Sequence, residues 1–247
     1  MLKDILSDVL SHTQGLGFIE MAKIVGDQEA TRIEAIDANK NVVLYGELTV
    51  PSSELVGTIG LARMPVLKGY LNFPPFQDDK AQIVVNRKTR GDQDVPAEIQ
   101  FTAPGGHNST YRFMSAEAVE EQIKVPVFKG TTWDVVVTPN DGNLKDLSYF
   151  ANILGSYEPM FTARTEDDDL YLYIGSGAND RARVPFAKGV SGVLTGKWSW
   201  PLSETLSILK LGMAAHSLKL SFSERGVMRI EMVTDQGSYE YILPAKA

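Results

Sequence analysis

From Trp198 onward the sequence admits few folds. Residues 201–216 carry apolar side chains at helical spacing, and strand-like runs follow at 218–223, 227–234 and 238–243. The turn signals Glu224-Arg225-Gly226 and Asp235-Gln236-Gly237 separate those runs. Strands joined by connections this short pair antiparallel, because a parallel pair needs a long crossover. A helix that precedes such a meander buries its apolar stripe on one face of it.

The same plan runs through the chain twice. Residues 3–13 place Ile5, Leu6, Val9 and Leu10 on one face of a helix, and Gly15 and Gly17 end it. Strands are expected at 18–25, 31–38 and 42–50, the last two joined by a turn at Asn39-Lys40-Asn41. A short helix covers 65–72, with Pro65 in the first turn, where its missing N–H costs nothing. Strands at 82–86, 97–102 and 109–114 follow, with a charged, solvated tip over 87–94. Residues 115–124 are acidic and weakly helical, and Val125-Pro126-Val127-Phe128-Lys129-Gly130 reads as an extended connector, since proline biases its predecessor away from helix.

The second pass has a strand at 132–138 and a helix at 143–154, with Leu144, Leu147, Phe150, Ala151 and Leu154 on one face and Gly155 as C-cap. Strands at 160–165 and 170–174 flank the acidic tip Glu166-Asp167-Asp168-Asp169, and 181–186 and 193–200 supply two more. These boundaries divide the chain into 1–123, a connector 124–131, and 132–247. Two helices per half on one face of antiparallel sheets make an α+β protein of two similar domains. Its open sheet edges favour pairing with further copies, and a ring leaves no edge free.

Composition narrows the function. The chain has 247 residues, 43% of them apolar, no cysteine and a net charge of −7. Disulfides and thiolate metal sites are excluded, and a reducing cytoplasm is compatible. No apolar run reaches the roughly 18–20 residues that span a bilayer, and no secretory leader is expected. Net negative charge disfavours tight, groove-reading DNA binding. It permits a ring that is acidic outside and mildly basic inside.

Catalytic motifs are missing. His12, His107 and His216 lie in separate elements without metal-ligand spacing. The tip 166–169 lacks the alternating ligands and trailing Glu of a calcium loop, so a solvated hairpin is the better reading. Thr195-Gly196-Lys197 fails as a phosphate loop, because position 191 is Ser and position 198 is Trp. No serine sits in a nucleophile elbow. The expectation is no enzyme, no cofactor and no metal site.

Three stretches carry a family resemblance: the connector Lys124-Val125-Pro126-Val127-Phe128 with strand 132–138 and helix 143–154; the helix and meander from Trp198; and the tail Tyr241-Ile242-Leu243-Pro244-Ala245-Lys246. In this order they resemble the DNA sliding clamps, the polymerase processivity factors, nearest to the phage and proliferating-cell-nuclear-antigen type. The resemblance implies the clamp fold and a homotrimer encircling duplex DNA without sequence preference, as in viral or cellular DNA replication. It also implies a clamp-loader ATPase that opens the ring, and polymerase tethered through a short apolar peptide.

Carried over by position, the resemblance puts Val125, Val127 and Phe128 in the connector above the peptide groove. Val227 opens a bordering strand, and Tyr241, Ile242, Leu243 and Pro244 form the C-terminal wall. The same four residues read equally well as a core strand with a frayed end. The basic residues of ring-lining helices are Lys3, Arg63, Lys68, Lys145, Lys210 and Lys219. Helix 143–154 has one Lys and one Asp, helix 201–216 has one Glu and one Lys, and helix 3–13 is net acidic, so the lining would be weakly basic. A ring is held by linkage, which weak phosphate contact does not compromise. The alternative left open is a β-rich structural subunit of a virion or tail.

Overall fold

A computed structural model describes residues 2–246 other than 176 and 178. The chain forms two compact units. One comprises Met1–Ala38, Leu44–Pro126 and Gln236–Tyr239; the other comprises Asn39–Val43, Val127–Asp235 and Glu240–Ala247.

In the first unit helix α1 (Leu2–Ser11) buries Leu2, Ile5, Leu6, Val9 and Leu10, the i, i+3, i+4, i+7, i+8 set of one helical face. It stops earlier than 13 because a short 3-10 turn, Gln14–Leu16, follows, closed by Gly17 at φ 88°. Strands β1 (Ala22–Gly26), β2 (Thr31–Ile36), β3 (Val43–Leu48) and β4 (Gly57–Leu61) run in the order β4-β1-β2-β3. Ile24 on β1 lies opposite Ile33 and Ile59, and all three are fully buried, so one rung of β-branched side chains fixes the register.

Helix α2 (Met64–Leu71) carries Pro65 in its first turn, after Arg63 in a left-handed conformation. Helix α3 (Pro74–Gln77) is a single turn that the sequence reading did not anticipate. Strands β5 (Gln82–Arg90), β6 (Gln93–Ala103) and β7 (His107–Arg112) form an antiparallel sheet in the order β5-β6-β7. The charged tip expected over 87–94 is solvent-exposed and mostly strand, and Arg87 bonds both the side chain and the backbone of Asp94 across the hairpin. Helix α4 (Ala116–Gln122) is capped by the Ser115 hydroxyl, which accepts from the Ala118 amide at 3.3 Å.

In the second unit strand β8 (Val135–Val137) leads into helix α5 (Asp141–Leu154). Strands β9 (Met160–Glu166), β10 (Asp169–Ile174), β11 (Ala182–Ala187) and β12 (Thr195–Pro201) form a sheet in the order β11-β10-β9-β12. Helix α6 (Leu202–Gly212) precedes the meander β13 (Ser217–Ser223), β14 (Val227–Val233) and β15 (Gly237–Pro244), arranged β15-β14-β13-β8, with residues 237–239 of β15 counted in the first unit. Helix α5 packs on β10 and β11, helix α6 packs on β12, β13 and β14, and the two helices touch. Phe161, Leu172, Val184, Trp200, Leu209, Leu220, Phe222 and Ile230 make the core of this unit. The architecture is α+β with antiparallel sheets and few helices, as expected from the pattern. No described helix is long and apolar enough to cross a membrane.

Candidate partner-peptide and DNA-facing surfaces

Strand β15 alternates between two faces. Tyr239, Tyr241 and Leu243 are at most 1% exposed, while Ser238 and Pro244 are exposed. Tyr241 and Leu243 are therefore core, and Trp200 donates its indole N–H to the Leu243 carbonyl at 3.2 Å. Ile242 belongs to the opposite set but is also buried, at 5%. Of the four residues expected to form a C-terminal wall, only Pro244 is open to a partner.

Beyond Pro244 the tail is tied down. The Ala245 amide donates to the Gly226 carbonyl, and Lys246 exchanges backbone hydrogen bonds with Ser199. Gly226, at φ 81°, lies under Trp198, where a Cβ would come within 3.0 Å of the ring. The Trp198 indole N–H reaches the Glu224 carbonyl at 2.6 Å.

Residues 123–133 form neither helix nor strand. Val125 is half-buried and Val127 is 85% exposed. The Tyr45 hydroxyl donates to the Pro126 carbonyl. Phe128, half-buried, stands 6.1 Å from the ring of Trp133. The Arg229 guanidinium lies 4.4 Å from the centre of that ring and is paired with Glu231 at 2.8 Å and Glu240 at 3.2 Å. Val227 is half-buried at the start of β14.

Trp133 and Arg229 are not among the residues the sequence analysis names, and Trp198 enters it only as the start of the last stretch and as a break in a phosphate-loop pattern. A signal existed for two of them: an aromatic directly after the connector, and an arginine in an otherwise apolar alternation, Val227-Met228-Arg229-Ile230.

The expected DNA-facing residues fall into separate groups. On α1, Lys3 is half-buried and donates to Gln77 at 3.2 Å, with Asp4 and Asp8 on the same helix. Arg63 and Lys68 are exposed before and on α2. Lys145 and Lys210 are exposed on α5 and α6, the pair of helices in contact. Lys219 departs from this set. It alternates with Leu218 and Leu220, and Leu218 points at α6, where a Cβ on Gly212 would meet its Cδ1 at 2.5 Å. Lys219 thus lies on the sheet face turned away from α6, opposite Glu231. Helix α5 also starts earlier than expected and gains Asp141, so its charge is one lysine against two aspartates.

Two buried ionisable groups lie elsewhere. His12 stacks on Tyr239 at 3.6 Å, and burial pushes its pKa down to about 3. The Tyr111 hydroxyl, donated to the Ala62 carbonyl, is pushed up to about 12 by burial. Among the described residues no group of three or more His, Asp or Glu could hold a metal ion.

No protein-family model and no curated protein matches the sequence. Solved structures match the whole fold, two proliferating-cell-nuclear-antigen structures among them. PCNA from Thermococcus kodakaraensis aligns with a TM-score of 0.64 over 99% of this chain and 95% of that one, at 14% identity. Proliferating Cellular Nuclear Antigen from Entamoeba histolytica aligns with a TM-score of 0.65 over 100% and 95%, at 12% identity. The fold is that of the DNA sliding clamps.

Proposed function

We propose that this chain is a sliding-clamp subunit: a homotrimer that encircles duplex DNA in the cytoplasm, is opened by a loader ATPase, and tethers DNA polymerase through a short apolar peptide. It acts by linkage, not by catalysis. The observation that carries this reading is the full-length structural likeness to two clamp proteins at TM-scores of 0.64 and 0.65.

Open strand edges support ring closure. Strand β7 ends the three-stranded sheet of the first unit, and β11 ends the four-stranded sheet of the second. Two different edges that pair between copies make a heterologous contact, which closes into a ring when the rotation permits.

The peptide surface falls to Val127, Val227 and Pro244 in the second unit, with Tyr241, Ile242 and Leu243 as its buried support and with Phe128 and Trp133 lying across it. The DNA side falls to Arg63, Lys68, Lys145 and Lys210, with Lys3 partly engaged by Gln77. Lys219 is left out, because its strand face is turned away from the helices.

Two measurements test the reading. Native mass spectrometry should give about 81 kDa, three times the chain's 27.1 kDa. A loaded ring should stay on circular DNA in high salt and run off once the circle is cut, because linkage is insensitive to screening. A monomer, a large open assembly, or equal retention on linear DNA would refute it.

A further inference from the structure

Part of the outer face of the second unit's meander is covered where alternation predicts water. On β13, Leu218, Leu220 and Phe222 point inward, so Ser217, Lys219, Ser221 and Ser223 take the opposite face. Ser217 and Lys219 are exposed, yet Ser221 and Ser223 are fully buried. The cover comes from the end of the connector and the residues just after it. Thr131 bonds Ser223 through their hydroxyls at 3.2 Å, and Trp133 lies over Arg229, which sits opposite Ser221 in the β13–β14 register. Phe128 leans on Trp133.

The seal is imperfect. Ser221 Oγ and Arg229 Nε are buried and have no hydrogen-bond partner among the described residues. Unpaired buried polar atoms disfavour the closed arrangement. The covering segment forms no helix or strand of its own.

We propose that residues 128–133 are a strap that occupies the peptide surface in the free protein, and that an incoming peptide must displace Trp133 to dock. This rests on the clamp reading above and adds a regulatory step to it. The aromatic pair Phe128 and Trp133 stands where a partner's aromatic anchors would go. The occupant is an uncharged, aromatic-anchored peptide. Glu231 and Glu240 already neutralise Arg229, so an acidic anchor would gain little there and meet repulsion. A binding surface that is open only part of the time has its apparent affinity reduced by the open fraction.

The test compares the wild-type chain with Trp133→Ala, using two probes: the apolar dye anilinonaphthalene sulfonate, and a synthetic uncharged peptide with two adjacent phenylalanines. The variant should bind more dye while remaining folded, and should bind the peptide at least about fivefold more tightly. Unchanged dye binding overturns the strap. So does increased dye binding with equal or weaker peptide affinity, because Trp133 would then be a wall of the surface, not its occupant. If neither chain binds the peptide, the docking step falls, while ring mass and DNA retention still decide the clamp reading. Should Trp133→Ala fail to fold, Phe128→Ala and Thr131→Val each remove one strap contact and should shift both probes in the same direction. No shift in either variant refutes the proposal.

Discussion

His12 is the clearest case of a side chain whose surroundings set a measurable property. It is 2% exposed, stacked on Tyr239, and held neutral by burial, with its pKa lowered from 6.5 to about 3. The unfolded chain binds a proton there near pH 6.5 and the folded chain does not, so the stabilisation is complete above that pH and is lost as pH falls toward 3. Asp8, whose Oδ1 lies 3.7 Å from His12 Nε2, attracts the charged form and limits the loss. We expect His12→Phe, which keeps a ring against Tyr239, to remove about 1 kcal/mol of destabilisation between pH 7 and 5.5; denaturant titrations at both pH values check it, and parallel pH profiles for the two chains would contradict it. A second residue-scale case is the hairpin at 166–169. Its loop residues Asp167 and Asp168 both have positive φ, 50° and 64°, the conformation of a type I′ turn. Glycine adopts it without strain, so Asp168→Gly should raise stability by about 0.5 kcal/mol, read as a higher melting temperature. The sequence identifies this segment as a hairpin tip, and the structure closes it as a two-residue turn between Glu166 and Asp169. The C-terminal tail was harder to read at this scale. Alternation alone puts Tyr241 and Leu243 on one face and Ile242 and Pro244 on the other, so at most half of the run could ever have faced a partner.

At the level of elements, the α5 start shows what local pattern reading can and cannot do. The apolar spacing predicts a helix over 143–154, and the helix begins at Asp141. In the structure Asn140 accepts from the Asn143 amide at 3.0 Å while the Asn143 side chain accepts from the Asn140 amide at 3.1 Å, a reciprocal cap that places both residues inside the signal. Asn140→Ala should cost about 1 kcal/mol, measured by denaturant unfolding, and a change within error would mean that solvent replaces the cap. Helix α6 ended early for a tertiary reason. Gly212 closes it against Leu218, and the apolar residues Met213 to Ala215 belong to the turn that follows. The four longer helices and the meander were legible because their periodicities are strong. The single-turn α3 was not, because four residues carry no period. The strap over β13 was also invisible, because a segment without secondary structure has no pattern to announce which surface it covers.

For the whole molecule the proposed clamp function raises the question of how a chain of net charge −7 would stay near duplex DNA. Phosphate pairing cannot be the main device. Helices α1 and α5 each carry more carboxylates than lysines, and Lys3 is partly engaged by Gln77. A closed ring avoids the problem, since topology retains DNA without contact, and sparse lysines leave the register free for sliding. Loading is different, because an open ring must capture DNA before linkage exists, and there the long-range field counts. Lys145 and Lys210 sit on the two helices that touch in the second unit, so they are the pair whose reversal alters that field most locally. We expect Lys145→Glu with Lys210→Glu to slow loader-driven capture and to flatten its dependence on salt, because each lost phosphate contact lowers the salt slope by about one. Trimer mass should be unchanged, and retention on circular DNA once loaded should also be unchanged. Loading at the wild-type rate across a salt series would show that these helices do not approach DNA. Loss of the trimer would show instead that they belong to the contact between copies, an outcome that exposed Tyr149 and Ile153 on the same helix make worth separating by mass before any rate is compared.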